Sequence, residues 1–148
     1  GTHTCGLATD GVAWCWGGNN VGQAGDGTIG TGPYRNPVQV RSGVPFAVLG
    51  GGGSGAHTCA LEASGVAWCW GFNNNGQLGD GTLSQHSVPT QVKGMSSRIV
   101  SLSAGGGHVC AVTASIETYC WGGNVDGQVG RSDRDGSSVP VKVLVPPR

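Results

Sequence analysis

One sequence unit occurs three times along the chain, and this repetition limits the possible folds more than any other feature. The word CALEASGVAWCWGFNNNGQLGDG at 59–81 nearly matches CGLATDGVAWCWGGNNVGQAGDG at 5–27, and a looser copy, CAVTASIETYCWGGNVDGQVG, occupies 110–130. Such self-similarity is typical of folds in which each unit stacks on its neighbours. We therefore predict one repeat domain over 1–148, with units at approximately 1–45, 46–96 and 97–148.

The composition favours an all-β fold and argues against several classes of protein. Glycine accounts for 30 of the 148 residues, against a usual share of about 7%. It does not recur at every third position, which excludes collagen, so frequent tight turns between short strands are the better account. The formal net charge is zero, which predicts no nucleic-acid partner for the chain as a whole. Because no run of about 18 apolar residues occurs, we expect no membrane insertion. Since the chain does not begin with Met, we expect a processed or partial piece of a longer product.

The two cysteines of each unit flank a short loop that is typical of a hairpin turn. If 9–11 form a three-residue loop, Ala8 faces Val12 and Cys5 faces Cys15. The second unit has the same spacing, with a three-residue loop at 63–65. In the third unit Ile116 replaces the loop glycine, and we expect another loop conformation there because a β-branched residue disfavours positive φ.

Three states of the cysteines are consistent with this spacing: disulfides, free buried thiols, or metal ligands with the histidine that precedes each first cysteine. The spacing lacks the short Cys-x2-4-Cys knuckle usual for structural zinc, and opposed strand residues lie within disulfide range. We therefore predict three disulfides, no metal and no cofactor, and hence an extracellular setting, secreted or at the cell surface. The predicted pairs are Cys5–Cys15, Cys59–Cys69 and Cys110–Cys120.

Further short runs complete about four strands in each unit. Apolar runs at 46–49 and 99–102 precede the second and third hairpins, and runs that start at a proline follow each hairpin, at 37–40, 89–92 and 140–143. Alternation along the hairpins puts cysteines on one face and tryptophans on the other. Both faces are apolar, so each sheet is expected to lie between neighbouring sheets.

The repeated words resemble those of the regulator of chromosome condensation repeat family. The resemblance is carried by Gly-x-His-x-Cys entries, by Trp-Gly-x-Asn-x-x-Gly-Gln runs in all three units, and by Gly-Asp-Gly-Thr at 25–28 and 79–82. It implies a β-propeller with blades of four antiparallel strands, usually seven blades. About three blades fit in this chain, so we expect the ring to be completed by self-association or by missing sequence. In the third unit Gly130-Arg131-Ser132-Asp133 replaces the Gly-Asp-Gly-Thr word, and its turn is expected to differ.

No arrangement of residues typical of catalysis recurs in the sequence, so we expect no enzyme activity. The histidines of the three entries are equivalent by repeat, which favours a structural role, and alternation favours a core position between neighbouring blades for the tryptophans. His86 lies outside the pattern and is interpreted as a surface-loop residue. Function is then expected at positions that vary between the units, and Tyr and Arg are typical interface anchors. The candidate binding residues are Ile29, Tyr34, Arg35, His86, Arg131 and Arg134.

The sequence thus predicts a non-enzymatic extracellular propeller scaffold for protein–protein interaction or self-association. One alternative is a structural subunit of an extracellular fibre or sheath that assembles through blade edges. The other, implied by the resemblance alone, is binding of a small GTPase in the manner of a guanine-nucleotide exchange factor.

Overall fold

The computed structural model describes residues 2–50 and 55–146, and these residues form three antiparallel sheets. No helix occurs within the described ranges, so the all-β prediction is confirmed. Accordingly, none of the described residues belongs to a helix that could cross a membrane. The eleven strands are β1 His3–Leu7, β2 Ala13–Gly17, β3 Tyr34–Gln39, β4 Val48–Gly50, β5 His57–Leu61, β6 Ala67–Gly71, β7 His86–Gln91, β8 Ile99–Ala104, β9 His108–Thr113, β10 Thr118–Gly122 and β11 Ser137–Lys142.

Each sheet forms one blade, and the blades are copies of one another. The second and third blades have four strands, in the orders β4-β5-β6-β7 and β8-β9-β10-β11. The first has three strands, in the order β1-β2-β3. Strand β4 also contacts β1, and β8 contacts both β4 and β5. The first strands of successive blades therefore converge on one side, which we call the inner side.

The central hairpin of each blade has the register that the cysteine spacing predicted. Cys5 pairs with Cys15, and the amide of Ala8 donates to the carbonyl of Val12 at 2.9 Å. The corresponding cysteines pair in the other two blades. Each opposed pair is joined by a disulfide, with Cα atoms 4.1 Å apart.

The third hairpin loop corrects the expectation based on Ile116. The amide of Ile116 donates to the carbonyl of Thr113 at 2.9 Å, just as the amide of Gly11 donates to the carbonyl of Ala8 in the first blade at 3.0 Å. Ile116 keeps this turn by adopting a φ of 63°, in the left-handed region. The hairpin register therefore determines the loop conformation here, against the preference of the side chain.

The outer strands also differ from the prediction, which started them at their prolines. Strand β3 begins at Tyr34, three residues before Pro37, and β7 and β11 likewise contain their prolines in the interior. Each of these strands is the outer edge of its blade, where a residue without an amide hydrogen is tolerated. The predicted strand at 46–49 is also displaced, since β4 begins at Val48. Phe46 instead stacks on Trp70, with ring centroids 5.9 Å apart.

Successive blades are joined by one repeated hydrogen bond from a tryptophan. The indole nitrogen of Trp70 donates to the carbonyl of Gln23 at 3.0 Å, and Trp121 donates to Gln77 at 3.0 Å. Both indole side chains are fully buried, as a core role requires. Trp14, by contrast, is 37% exposed, so the core interpretation does not hold for every tryptophan.

The Asn-x-x-Gly-Gln run builds the loop that presents this carbonyl. In the second blade, Gln77 Oε1 accepts from the amide of Asn75 at 2.9 Å, and Asn73 Oδ1 accepts from the amide of Leu78 at 2.9 Å. The φ of Gly76 is 76°, which explains why glycine is needed between them. The first and third blades repeat these bonds.

Candidate functional site

Three loops at one end of the blades carry the sequence differences between the copies. They join the middle strands to the outer strands and span residues 18–33, 72–85 and 123–136. We call them the rim loops. Because the hairpin scaffold beneath them is the same in every blade, differences in recognition between the blades are expected to reside in these loops.

The first rim loop folds around the carboxylate of Asp26. Tyr34 donates its hydroxyl to Asp26 Oδ2 at 2.6 Å, and the amide of Thr28 donates to Oδ1 at 3.1 Å. Burial opposes ionisation of Asp26, but these hydrogen bonds outweigh it and lower its pKa. Tyr34 is therefore tied into its own loop, while Ile29 is 45% exposed and Arg35 is exposed.

The second rim loop corrects the interpretation of His86 as a loop residue. His86 is the first residue of β7, and its Nε2 atom lies 2.8 Å from Asp80 Oδ2. Burial raises the pKa of Asp80, but hydrogen bonds from Thr82 and the nearby His86 outweigh this effect and lower it. His86 thus occupies the position of Tyr34 in the first blade and contacts the equivalent aspartate, which is a structural role.

The third rim loop differs from the other two, as its altered sequence predicted. Arg131 stands where the other blades have the aspartate, and its Nη2 atom lies 2.7 Å from Asp133 Oδ2. The amide of Asp135 donates to Asp133 Oδ1 at 3.2 Å, and Asn124 donates to the Asp133 carbonyl at 2.8 Å. Asp133 therefore organises this loop and engages Arg131.

A groove lies between the second and third rim loops. Its volume is about 420 Å³, and its lining includes Leu83, Val125 and Arg134. Leu83 is 61% exposed and Val125 is 69% exposed. A second cavity of about 440 Å³ adjoins it and is lined by Val125, Arg131 and Arg134. We call these four residues, Leu83, Val125, Arg131 and Arg134, the rim groove.

The rim groove gathers only part of the predicted site. It brings Arg131 and Arg134 together, whereas Ile29 and Arg35 belong to the first blade and do not line it. Sequence reasoning missed its apolar members. A signal was present, because Val125 replaces an asparagine found at the same position in the first two copies.

The repeated histidines lie at the same end of the blades, as the first residues of β1, β5 and β9. His57 is fully buried, and neither of its ring nitrogens has a hydrogen-bond partner in the described structure. Burial, and to a lesser extent the nearby His3 and His108, lower the pKa of His57 to about 4. His3 Nε2 lies 2.9 Å from Thr58 Oγ1. Within residues 2–50 and 55–146, no group of three or more His, Cys, Asp or Glu residues is arranged to hold a metal ion.

Comparison with protein families identifies the repeat over two segments of the chain. A family model described as "Regulator of chromosome condensation (RCC1) repeat" matches residues 64–112, and a second model with the same description matches residues 1–23.

Among curated proteins, the chain is similar to members of several classes. It is 35% identical over 145 residues to the human probable E3 ubiquitin-protein ligase HERC3, covering 96% of this chain and 14% of that protein. It is 30% identical over 145 residues to the ultraviolet-B receptor UVR8 of Arabidopsis thaliana, covering 97% of this chain and 32% of the receptor. It is 33% identical over 154 residues to the mitochondrial RCC1 domain-containing protein RUG3 of the same plant, covering 97% of this chain and 33% of that protein. The chain therefore spans about a third or less of each of these relatives.

Solved structures show the same fold at lower identity. The structure of Prp20p from Saccharomyces cerevisiae superposes with a TM-score of 0.85 at 21% identity, covering 97% of this chain and 36% of that one. Human WBSCR16 superposes with a TM-score of 0.82 at 19% identity, covering 97% of this chain and 37% of that one.

Proposed function

Since the chain belongs to the regulator of chromosome condensation repeat family, we propose that it is a non-enzymatic β-propeller scaffold that binds a protein partner through the rim groove. The observation that carries this proposal is the exposure of Leu83 and Val125 in a concave surface beside Arg134. Apolar side chains surrounded by polar loop residues, with an arginine at the edge, are typical of interface centres.

The proposed location is extracellular. Three disulfides support it, because such bonds persist in oxidising compartments and are rare in the cytosol. Intact mass of the protein from its natural source, with free thiols blocked at lysis, tests this directly. We expect no blocked thiols before reduction and six after it; thiols that are blocked before reduction would contradict an extracellular setting.

Binding can be tested with matched variants of the same residue types. Chemical cross-linking followed by mass spectrometry identifies the partner of the wild-type chain, and the affinity of the purified partner is then measured for each variant. Val125→Asp and Arg134→Glu should weaken binding at least about tenfold, as loss of an interface anchor does. Ile29→Asp and Arg35→Glu are the controls, since these exposed residues lie outside the groove. Equal losses in both pairs would argue against the rim groove as the binding site.

A structural role in a fibre or sheath remains a second candidate, supported by the uneven coverage of the end blades. Trp16 is only half-buried, whereas its repeat equivalents are fully buried. Sedimentation velocity over a hundredfold range of concentration distinguishes the two. A sedimentation coefficient that does not change would exclude self-assembly.

Binding of a small GTPase is the third candidate. It is supported by Prp20p, a solved structure of similar fold, for which binding to Gsp1p and histones is described. Release of labelled GDP from purified small GTPases decides the matter. No acceleration at saturating chain would remove this candidate.

A further inference from the structure

The cavity of about 420 Å³ in the rim groove lies at the junction between the second and third blades. One wall carries Leu83, which belongs to the second blade and is exposed although a third blade follows it. The other wall carries Val125 of the third blade. Its repeat equivalent in the second blade, Asn74, is also exposed in the presence of a following blade. The exposure of both apolar side chains is therefore a property of the junction, independent of where the array of blades stops.

Small residues open this cavity. The second and third rim loops have the same length, at 72–85 and 123–136, so their residues correspond one to one. Three residues that line the cavity, Gly123, Gly136 and Ser137, correspond to Phe72, Gln85 and His86 of the second blade. The junction between the first and second blades thus has larger side chains at the same three positions.

The difference is greatest at Gly123, where the backbone does not require a glycine. Gly123 does not adopt a positive φ. A Cβ atom added to it would lie 3.6 Å from Asn75 Cβ, an ordinary contact, so a side chain at this position would extend toward the preceding blade. Its equivalent, Phe72, is half-buried. The chain therefore supplies a phenyl ring at one junction and leaves the corresponding volume open at the next.

The charge at the edge of the cavity comes from Arg134. Among the described residues that line the cavity, Arg134 is the only charged one, and it is exposed. None of the ion pairs found within residues 2–50 and 55–146 includes it, whereas Arg131 is paired with Asp133. Asp135 is adjacent to Arg134 in sequence but does not line the cavity. A guanidinium group in this setting binds a carboxylate through two parallel hydrogen bonds and also packs on aromatic rings.

We propose that the rim groove binds a segment of the partner protein in which an aromatic side chain is next to a carboxylate. The ring fills the volume beside Gly123 and contacts Leu83 and Val125, and the carboxylate accepts hydrogen bonds from Arg134. This specificity rests on the proposed function of the rim groove as a binding site and defines what the bound segment carries.

Blocked synthetic peptides test this specificity. The probe is acetyl-GDFDG-amide, which has a carboxylate on either side of the ring, so the result does not depend on the order of the two groups. One control, acetyl-GDADG-amide, lacks the ring, and the other, acetyl-GNFNG-amide, lacks the charge. Each peptide is titrated into the isotope-labelled chain, and the amide chemical shifts are followed by nuclear magnetic resonance.

We expect the probe to shift the amide signals of Gly123, Val125 and Ser138, with a dissociation constant on the order of 1 mM. Each control should bind at least about fivefold more weakly, because it loses one of the two contacts. Equal affinity of the three peptides, or the absence of a saturable shift at Gly123, would overturn the proposal.

Two variants of the chain locate the two contacts. Gly123→Phe introduces the residue found at the equivalent position 72 and should abolish binding of the probe. Arg134→Gln changes an exposed side chain and should remove the preference for the probe over acetyl-GNFNG-amide. Binding of the probe to Gly123→Phe with wild-type affinity, or an unchanged preference in Arg134→Gln, would contradict the assigned contacts.

The peptide titrations and the partner affinities fail independently of each other. Reduced affinity of Val125→Asp for the partner, together with no binding of the probe, would overturn the aromatic–carboxylate specificity and leave the proposed function standing. Binding of the probe in the groove, together with unchanged partner affinity in Val125→Asp, would overturn the proposed function instead.

Discussion

At the scale of single residues, Ile116 occupies a backbone conformation that its side chain disfavours. Its φ is 63° and its side chain is 86% exposed, so no burial compensates for the steric cost. The equivalent residues in the other blades are Gly11 and Gly65, with φ of 85° and 87°. A non-glycine residue in this region costs roughly 1–2 kcal/mol.

Replacing Ile116 by glycine should therefore stabilise the protein. We expect Ile116→Gly to raise the free energy of unfolding by about 1 kcal/mol, since relief of the steric cost exceeds the extra entropy lost by glycine. Urea denaturation measures the change. Ile116→Ala is the matched control and should give a smaller gain, because it keeps the Cβ atom at positive φ. A loss of stability in the glycine variant would contradict this account.

His57 is the residue whose protonation state depends most clearly on folding. Burial, with smaller contributions from His3 and His108, lowers its pKa from 6.5 to about 4. Between these pH values the unfolded chain binds a proton at this position and the folded chain does not. The contribution of His57 to stability is therefore fully present above pH 6.5 and is lost as the pH falls toward 4.

The free energy of unfolding should fall by up to about 3 kcal/mol through this residue as the pH drops from 6.5 to 4. Denaturant titrations at several pH values measure the slope. In His57→Leu the slope over this window should become shallower, whatever the stability of the variant at neutral pH. An unchanged slope would show that other groups account for the acid sensitivity.

At the scale of elements, the bond from an indole to a glutamine carbonyl fixes each blade against the one before it. Trp70 and Trp121 make this bond and are fully buried. Trp16 holds the same place in the first blade but is only half-buried, and within the described residues no preceding blade offers it an acceptor. The same side chain therefore contributes differently according to the position of its blade.

Substitution of Trp70 and of Trp16 should show the difference between a tryptophan that makes the inter-blade bond and one that does not. We expect Trp70→Phe to cost about 2–4 kcal/mol, from the cavity left by the smaller ring and from the unpaired Gln23 carbonyl. Trp16→Phe should cost less than about 1 kcal/mol. Thermal and urea unfolding measure both. Equal losses would mean that the inter-blade bond contributes little.

The elements also show which features could be predicted from sequence. The hairpins and their cysteine register were accessible because period-two alternation and a fixed loop length leave one pairing. The start of β3 could not be predicted in this way. Pro37 suggested that the strand begins there, but an edge strand tolerates a proline in its interior, so β3 begins earlier, at Tyr34. The rim groove was missed in part, because Leu83 and Val125 lie in different repeats and only blade stacking brings them to one surface.

At the scale of the whole molecule, the burial of equivalent strands differs from one blade to the next. The second blade lies between the other two, and all five residues of β5 are buried. The equivalent strand of the first blade, β1, has no buried residue. Local opening costs less free energy where few contacts must be broken, so stability is expected to be greatest in the middle of the chain.

Hydrogen–deuterium exchange should reveal this gradient. We expect the amides of β5 and β6 to exchange most slowly and those of β1 to exchange faster than their equivalents in β5. The comparison is internal, because β1 and β5 have the sequences HTCGL and HTCAL. Equal protection of the two strands in the isolated chain would mean that the inner edge of β1 is covered in solution.

The acceptor in each bond between blades is a main-chain carbonyl, and this has an evolutionary consequence. Every unit that keeps the Asn-x-x-Gly-Gln run presents such a carbonyl, so a duplicated unit finds an attachment point on any predecessor that has this run. Recombination is then able to lengthen, shorten or shuffle the array without matched substitutions at the junction. Outside this run the rim loops are free to diverge, whereas the run itself must be kept because its side chains hold the accepting carbonyl in place.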